Sequence, residues 1–229
     1  MDDYIANNVR EYESFKTVLR KKLSKAKSFK TVVEKFQAYE TDPAAMPRLR
    51  YLHDKYGWKA KGTAELGGLC VGAIYRTVNF MAISPAQRDG SKGRDSRGYP
   101  VKNIHIEHTV PVRMLKFGLA YYRDPAIRTD GYPTAPELFR WTMRHSICTA
   151  MSFEEECLLR EHCCSAGSPC FRAKTGAPQS QKPFERYLRH SINLEIWNMV
   201  TGKRIDLSTW TFDDHEKTLK KAGVYDWPA

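Results

Sequence analysis

The sequence KNIHIEHTVPV, residues 102–112, alternates apolar and polar residues and then reaches a proline. The alternation predicts a strand with two isoleucines on one face, and Pro111 closes that strand because proline cannot donate to a β-ladder. Glu107 and His108 stand side by side where the strand ends. A carboxylate beside an imidazole, at a point that is rigid on one side and open on the other, predicts a site for chemistry.

Length and charge restrict the classes of protein to consider. The 229 residues, 41% of them hydrophobic, suffice for one sizeable core or for a core with a small lobe. No apolar stretch approaches the roughly 20 residues that cross a bilayer, and the N-terminus has no secretory signal, so we expect a soluble cytoplasmic protein without membrane contact. A formal net charge of +11 predicts an anionic partner, most commonly nucleic acid, with a membrane surface as the weaker alternative.

The first sixty residues combine helical periodicity with a basic run. Apolar positions recur at spacings of three and four over residues 4–40, which predicts helix. From Lys16 to Lys30 inclusive there are seven basic residues and no acidic one. Such a run is either a solvated helix face or a phosphate-contacting surface. On the second interpretation, the predicted DNA contacts are Lys21, Lys22 and Lys25.

A glycine-rich loop is predicted over residues 84–100, directly before the Glu-His strand. It contains three glycines among four basic residues. A flexible loop of this kind is well placed to close over a phosphodiester backbone, although surface disorder explains the composition nearly as well. The loop residues that we predict to contact DNA are Arg88, Lys92, Arg94 and Arg97.

The remaining elements are predicted from hydrophobic periodicity and from residues that begin or end helices and strands. Residues 64–83 are apolar and fit either a packed helix or a buried pair of strands. A helix over residues 113–122 and a turn-rich insertion over 124–136 precede a second strand at 145–150. Ser152 and Glu155 stand in the S-x-x-E relation of a capping box, which begins a helix running to about His162. Helices are also predicted over residues 184–199 and from Thr211 or Phe212 to about Lys221, the last one closed by Gly223.

Glu107 and His108 suit the two tasks of phosphodiester hydrolysis. The reaction needs an activated water and a divalent cation that offsets charge on the phosphate and on the leaving oxygen. A carboxylate such as Glu107 binds hard cations such as Mg²⁺ through oxygen. His108 titrates near neutral pH and can accept a proton from water.

The string Glu107-His108-Thr109-Val110-Pro111 resembles the (D/E/H)-H-x-x-P opening of the HNH, or ββα-metal, nuclease family. The resemblance implies a second strand and a helix within about residues 100–165, with the helix donating another metal ligand. The string SFEEECLL, residues 152–159, looks like a T-x-E-E-(D/N)-x-x-L segment of bacterial nuclease-like relatives. It implies that Glu107 holds Mg²⁺ or Mn²⁺ together with Glu155 or Glu156. Glu155 has a competing role as the N3 residue of the capping box.

The cysteines allow a second metal site. Soft ligands crowd into residues 157–170, and a tetrahedral zinc ion could brace that segment. No C-x-x-C pair occurs, so buried or idle thiols are the alternative. The candidate ligands of a structural zinc ion are Cys157, His162, Cys163 and Cys170.

Two other functions fit parts of the sequence. His105-Ile106-Glu107 matches the H-x-E element of zinc-dependent nucleobase deaminases, and Pro169-Cys170 begins their second element, but Ala173 stands where the second cysteine is required. A basic nucleic-acid-binding protein without catalysis is the other alternative. It predicts that a His108→Ala variant behaves like the wild type.

The sequence therefore predicts an α/β (α+β), mostly helical protein built around a small ββα-metal core. Residues 1–60 form a basic helical region, and residues 61–229 form a nuclease domain with its core at about 100–165. The predicted function is metal-dependent endonucleolytic cleavage of double-stranded DNA. A chain of this size around an HNH core fits a sequence-specific type II restriction endonuclease, and cleavage at a palindrome would imply a homodimer.

Overall fold

The fold is that of a computed structural model, which describes residues 3–23, 27–47, 72–90, 93–99, 101–124, 126, 131–163, 182–188 and 194–223, with the backbone alone for 18–23, 27–31 and 160–163. The elements in these ranges, in chain order, are α1 (Asp3–Leu23), α2 (Lys27–Thr41), β1 (Tyr75–Thr77), α3 (Val78–Ala82), β2 (Ile104–His108), α4 (Val112–Arg123), α5 (Ala135–His145), β3 (Cys148–Ser152), α6 (Phe153–Cys163), α7 (Glu185–Leu188), β4 (Ile196–Asn198), β5 (Lys203–Arg204) and α8 (Phe212–Ala222). None of the helices described is both long and apolar enough to cross a membrane.

The five strands form one mixed sheet in the order β2-β3-β1-β4-β5. β1 is parallel to β3, whereas the other neighbours are antiparallel. In the β2–β3 pair, Ile104 lies opposite Ser152 and His108 lies opposite Cys148. Helices together with a mixed sheet confirm the predicted α+β class.

The sheet and the N-terminal helices share one hydrophobic core. β3 is buried along its whole length, and α1 and α2 contribute residues such as Ile5 and Phe36 to the same cluster. Arg123 at the end of α4 donates to the carbonyl oxygens of Tyr39 and Glu40, at 2.8 and 3.1 Å, which ties α4 to α2. The predicted boundary at residue 60 lies outside the described residues.

A buried ion cluster joins α1 to the centre of the sheet. The two carboxylate oxygens of Glu11 accept from different guanidinium groups, one from Arg76 and the other from Arg88 at 2.7 Å. Asn8 Oδ1 accepts from the same two arginines, at 2.6 and 3.1 Å. Both arginine side chains have no solvent exposure. Arg88 therefore stabilises the interior, which does not agree with its predicted role as a DNA contact.

The residues that begin and end helices predict several elements of the structure correctly. α4 covers the predicted helix, and α8 begins after Thr211 and ends at Gly223, whose φ of 69° is the left-handed conformation expected of a C-terminal glycine. The Ser152–Glu155 capping box is present, with Ser152 N donating to Glu155 Oε2 at 2.9 Å and Glu155 N donating to Ser152 Oγ at 3.2 Å.

Other elements differ from the predictions. The helix predicted over residues 184–199 is wrong, because residues 196–198 form β4; of the residues described in that range, α7 alone is helical. The apolar residues of β4 satisfy a helical spacing by chance, whereas pairing with β1 decides their conformation. Residues 75–82 hold a short strand and a short helix. Helix α5 was not predicted, and the strand after it lies at Cys148–Ser152 rather than at 145–150.

A buried histidine makes stability depend on pH. His215 is 1% exposed and its Nδ1 lies 2.8 Å from the Tyr75 hydroxyl. Burial lowers the pKa of His215 to about 3, whereas an unfolded histidine has a pKa near 6.5. The unfolded chain therefore binds this proton first as pH falls, so the stabilisation is complete above pH 6.5 and is lost progressively toward pH 3.

We expect the free energy of unfolding to fall from pH 7 to pH 5 in the wild type and to fall less steeply in a His215→Gln variant. Urea titrations at pH 7, 6 and 5 measure both slopes. Equal slopes in the two proteins would contradict the assignment to His215. The slope that remains in the variant reports other groups, including His145, whose pKa burial lowers to about 4.

Candidate functional site

Strand β2 presents two polar side chains on one face. Ile104 and Ile106 are buried, and the period of two along a strand places His105 and Glu107 together on the opposite face. Nε2 of His105 lies 3.5 Å from Glu107 Oε2. The alternation that the sequence shows thus produces a paired imidazole and carboxylate.

Helix α6 brings a second carboxylate to the same imidazole. α6 starts directly after β3, which is antiparallel to β2, so its first turn contacts β2. Glu156 Oε1 lies 3.6 Å from His105 Nε2, and the Glu156 side chain is only 5% exposed. Two glutamates from separate elements therefore meet at one imidazole.

Lys102 fixes the orientation of that imidazole. Its Nζ lies 3.2 Å from His105 Nδ1 and 3.4 Å from Glu156 Oε2. An ammonium group has donors and no acceptor, so Nδ1 accepts this hydrogen bond. The proton of a neutral His105 then sits on Nε2, where it faces the two carboxylates.

Arg186 is the second cation of the site. It forms an ion pair with Glu107 Oε1, and its Nη2 lies 3.5 Å from the His108 carbonyl oxygen. The neighbouring Tyr187 is buried and its hydroxyl lies 3.1 Å from Thr109 Oγ1. Burial raises the pKa of Tyr187 to about 12, which keeps the hydroxyl neutral. The contact between Tyr187 and Thr109 fixes residues 182–188 next to the end of β2, and from there the guanidinium of Arg186 reaches Glu107.

Glu107 is ionised at neutral pH although it is partly buried. Burial by itself raises the pKa of a carboxyl group, because the interior solvates charge poorly. The hydrogen bond from His105 and the positive charge of Arg186 outweigh that effect, and the pKa of Glu107 lies below its ordinary value. The site therefore offers a negatively charged oxygen at physiological pH.

Glu155 and Glu156, which the sequence left undecided, have different surroundings. Glu155 accepts from Thr77 Oγ1 at 2.6 Å and from Asn79 Nδ2 at 3.0 Å, in addition to its capping bond. These contacts orient Glu155 toward β1 and α3. Glu156 is the helix carboxylate that meets β2.

His108 is not grouped with these carboxylates. It is the last residue of β2 and pairs with Cys148, so the alternation of the strand directs its side chain to the face opposite Glu107. β2 is, however, the outermost strand of the described sheet. At an edge strand, side chains on both faces lie close to the free edge of the sheet, so His108 and Glu107 are both near that edge.

The other predicted site residues are scattered or lie outside the described ranges. Arg94 and Arg97 are exposed on the loop before β2, where Arg94 donates to the Gly98 carbonyl oxygen and Arg97 pairs with Asp95 at 3.1 Å. Cys157 is a half-buried free thiol. For several predicted residues only the helical backbone is described, namely Lys21, Lys22, His162 and Cys163. Lys25, Lys92, Pro169 and Cys170 lie outside the described residues, so the structural zinc ion stays a prediction.

The two carboxylates at β2 and α6 are the candidate donors for a hard cation. Within the described ranges, no group of three or more His, Cys, Asp and Glu side chains is arranged to hold a metal ion. Mg²⁺ does not require such a group, since it commonly takes one or two protein carboxylates and completes its shell with water and substrate phosphate. Glu107 and Glu156 supply donors of that type and number.

No family model, no curated protein and no solved structure matches this chain. The chemistry of the site therefore follows from its own residues. These are two glutamates, one histidine and two cations, namely Glu107, Glu156, His105, Lys102 and Arg186.

Proposed function

We propose that the protein is a metal-dependent endonuclease that hydrolyses phosphodiester bonds in double-stranded DNA. One observation carries the proposal: the carboxylates of Glu107 and Glu156 converge on His105 between Lys102 and Arg186. Anionic oxygens for a cation, flanked by positive charges for a phosphate, are what this hydrolysis requires. The net charge of +11 favours DNA as the substrate.

Each side chain has a distinct role in the proposed reaction. Glu107 and Glu156 hold Mg²⁺ or Mn²⁺, and His105 orients both carboxylates through its Nε2 proton. The bound cation supplies positive charge to the phosphate oxygens and lowers the pKa of an attacking water. Arg186 exchanges its contact with Glu107 for one with a phosphate oxygen, a geometry that guanidinium favours.

His108 is the proposed general base. The scissile phosphate would approach the free edge of β2. There His108, on one face of the strand, can reach a water molecule that Glu107 and Glu156, on the other face, help to place. Because His105 also lies beside the carboxylates, the two histidines are rivals for this role. Alanine variants of each separate the alternatives.

The order of elements supports an HNH-type assignment. β2 and β3 are antiparallel and α6 follows β3, with α4 and α5 inserted between the strands. We therefore propose a ββα-metal core at β2, β3 and α6, in a type II restriction endonuclease. A symmetric homodimer would cut both strands of a palindrome.

A second candidate is a DNA-binding protein without catalysis. It is favoured by the pairing of Glu107 with Arg186 and of Glu156 with Lys102, because these contacts balance the charges without a cation. Under this candidate the four side chains only stabilise the edge of the sheet. No cleavage is then expected with or without metal, and the His108→Ala variant should bind DNA like the wild type.

Incubation with supercoiled plasmid and phage DNA, with and without Mg²⁺, tests the proposal. We expect nicked or linear products with Mg²⁺ and none with chelator. His108→Ala should reduce the rate by about 10² to 10⁴, the usual contribution of general acid–base catalysis, while DNA binding persists. His105→Ala should chiefly raise the Mg²⁺ concentration needed. If the wild type digests no DNA from varied sources, the proposed nuclease function is wrong. If His108→Ala digests DNA as fast as the wild type, His108 is not the general base.

A further inference from the structure

Helix α4 carries large apolar side chains on its solvent side. Phe117 is 52% exposed and Tyr121, one turn later, is 37% exposed. The opposite side of the helix is already filled, since Leu115 and Leu119 are buried in the core. Because residues four apart lie on the same side of a helix, the two exposed rings stand next to each other.

The charged residues of α4 itself that lie on this side are positive, and the exposed Asp124 follows them as the C-cap of the helix. Arg113 and Lys116 are exposed, and the Arg113 guanidinium lies 5.5 Å from the centroid of the Phe117 ring. The helix itself contains no acidic residue. Among the described residues, no carboxylate forms an ion pair with either cation. We call Arg113, Lys116, Phe117 and Tyr121 the α4 outer face.

Aromatic rings interleaved with such cations match the chemistry of a single nucleic-acid strand. Unpaired bases expose their flat faces, on which Phe and Tyr stack, while the phosphates between the bases contact Arg and Lys. A duplex hides those base faces inside its stack, so it would use the cations but leave the rings without partners. The positive charge also makes an acidic strand a better occupant than a neutral apolar protein surface.

The position of the face suits a strand that leads to the candidate site. α4 begins at Val112, directly after Pro111 and four residues beyond the end of β2. From Arg113 to Tyr121 the helix rises about 12 Å, at 1.5 Å per residue. The first residue of the α4 outer face, Arg113, thus follows the end of β2 by five residues along the chain.

We propose that the α4 outer face binds a DNA strand with unpaired bases, with Phe117 and Tyr121 stacking on bases and Arg113 and Lys116 contacting phosphates. This inference deepens the proposed nuclease function and rests on it for the choice of DNA. It gives the enzyme a preference for DNA that is locally opened beside the cleavage site.

Fluorescence anisotropy with a labelled 20-nucleotide strand and with its duplex tests the proposal. Binding is measured in chelator, so that cleavage cannot contribute. We expect Phe117→Ala and Tyr121→Ala each to weaken single-strand binding on the order of tenfold, with a much smaller effect on the duplex. Leu158→Ala, which removes an exposed apolar side chain from α6, is the matched control and should bind like the wild type.

The cations are tested through the salt dependence. Replacing Arg113 or Lys116 with alanine should lower the slope of log K against log salt by about 0.7 for each phosphate that the variant no longer neutralises on a single strand. Lys203→Ala, on β5 at the other edge of the sheet, should leave the slope unchanged.

The outcomes separate the inference from the proposed function. Three results would overturn the inference even if plasmid is cleaved. Phe117→Ala and Tyr121→Ala could lose single-strand and duplex binding equally, they could bind single strands like the wild type, or the wild type itself could fail to bind a single strand. Selective loss of strand binding would support it even if no cleavage is found. Circular dichroism and thermal unfolding of each variant confirm that the comparison is between folded proteins.

Discussion

Under the proposed nuclease function, a Glu107→Gln variant is expected to cleave DNA at about one hundredth of the wild-type rate, or more slowly still. Loss of a residue that merely supports a metal ligand costs roughly 10- to 100-fold in affinity or activity, so loss of a ligand charge should cost at least as much. Glutamine keeps the shape of the side chain but cannot offer an anionic oxygen to a cation. It also removes the charge with which Arg186 forms an ion pair inside the site.

The Glu107→Gln rate is measured on plasmid DNA over a range of Mg²⁺ and Mn²⁺ concentrations. Glu154→Gln is the matched control, because Glu154 is exposed on the first turn of α6 and should tolerate the same change. Thermal unfolding and DNA binding in chelator show whether the variant is folded. A folded Glu107→Gln protein that cleaves at the wild-type rate would exclude Glu107 as a metal ligand.

Replacing Glu11 with glutamine is expected to lower the free energy of unfolding by about 3–5 kcal/mol, the usual cost of removing one partner from a buried ion pair. Glu11 is the carboxylate that both Arg76 and Arg88 contact, and the two guanidinium groups are shielded from solvent. Glutamine can accept a hydrogen bond from them but cannot neutralise them. Asn8, which also accepts hydrogen bonds from both arginines, is neutral and cannot replace the lost charge.

Urea unfolding at neutral pH measures this loss. Glu13→Gln is the matched control on the same helix, since Glu13 is 46% exposed and pairs with Lys16 at 2.6 Å near the surface. An exposed pair of this kind contributes about 0–1 kcal/mol. Similar effects of the two substitutions would show that the Glu11 cluster is far better hydrated than the structure indicates.

Local signals explain the parts of the fold that the sequence predicted. The capping box at Ser152, the left-handed Gly223 and the alternation in β2 each depend on residues within a few positions of one another. Strands β1 and β4 contain three residues each, too few to show a period. Their conformation is decided by pairing between distant segments, which no local pattern encodes.

Of the candidate site, too, the sequence predicts the residues with a local signal and misses those that tertiary packing brings in. Glu107 was predicted from its motif, and the period of two could have added His105 as its neighbour on the same face. Lys102 gave no signal beyond its positive charge. Arg186 belongs to a segment joined to β2 through the contact of Tyr187 with Thr109, so its place beside Glu107 follows from tertiary packing alone.

Glu155 and Glu156 show why the choice between adjacent glutamates depends on tertiary structure. Neighbouring positions on a helix differ in direction by about 100°, so one can face β1 while the next faces β2. The capping box identifies Glu155 as a cap, which is a reason to favour Glu156. That reason is incomplete without Thr77 and Asn79, because these residues occupy the oxygens of Glu155.

The position of β1 in the middle of the sheet has a consequence for synthesis on the ribosome. Its two neighbours, β3 and β4, are both translated much later, at residues 148–152 and 196–198. At roughly 5–20 residues per second, the nascent strand waits several seconds for its first partner and longer for its second. The sheet therefore closes late and at high contact order, which slows folding. During that interval α1 is already available to β1, because Glu11 of α1 pairs with Arg76 of the strand.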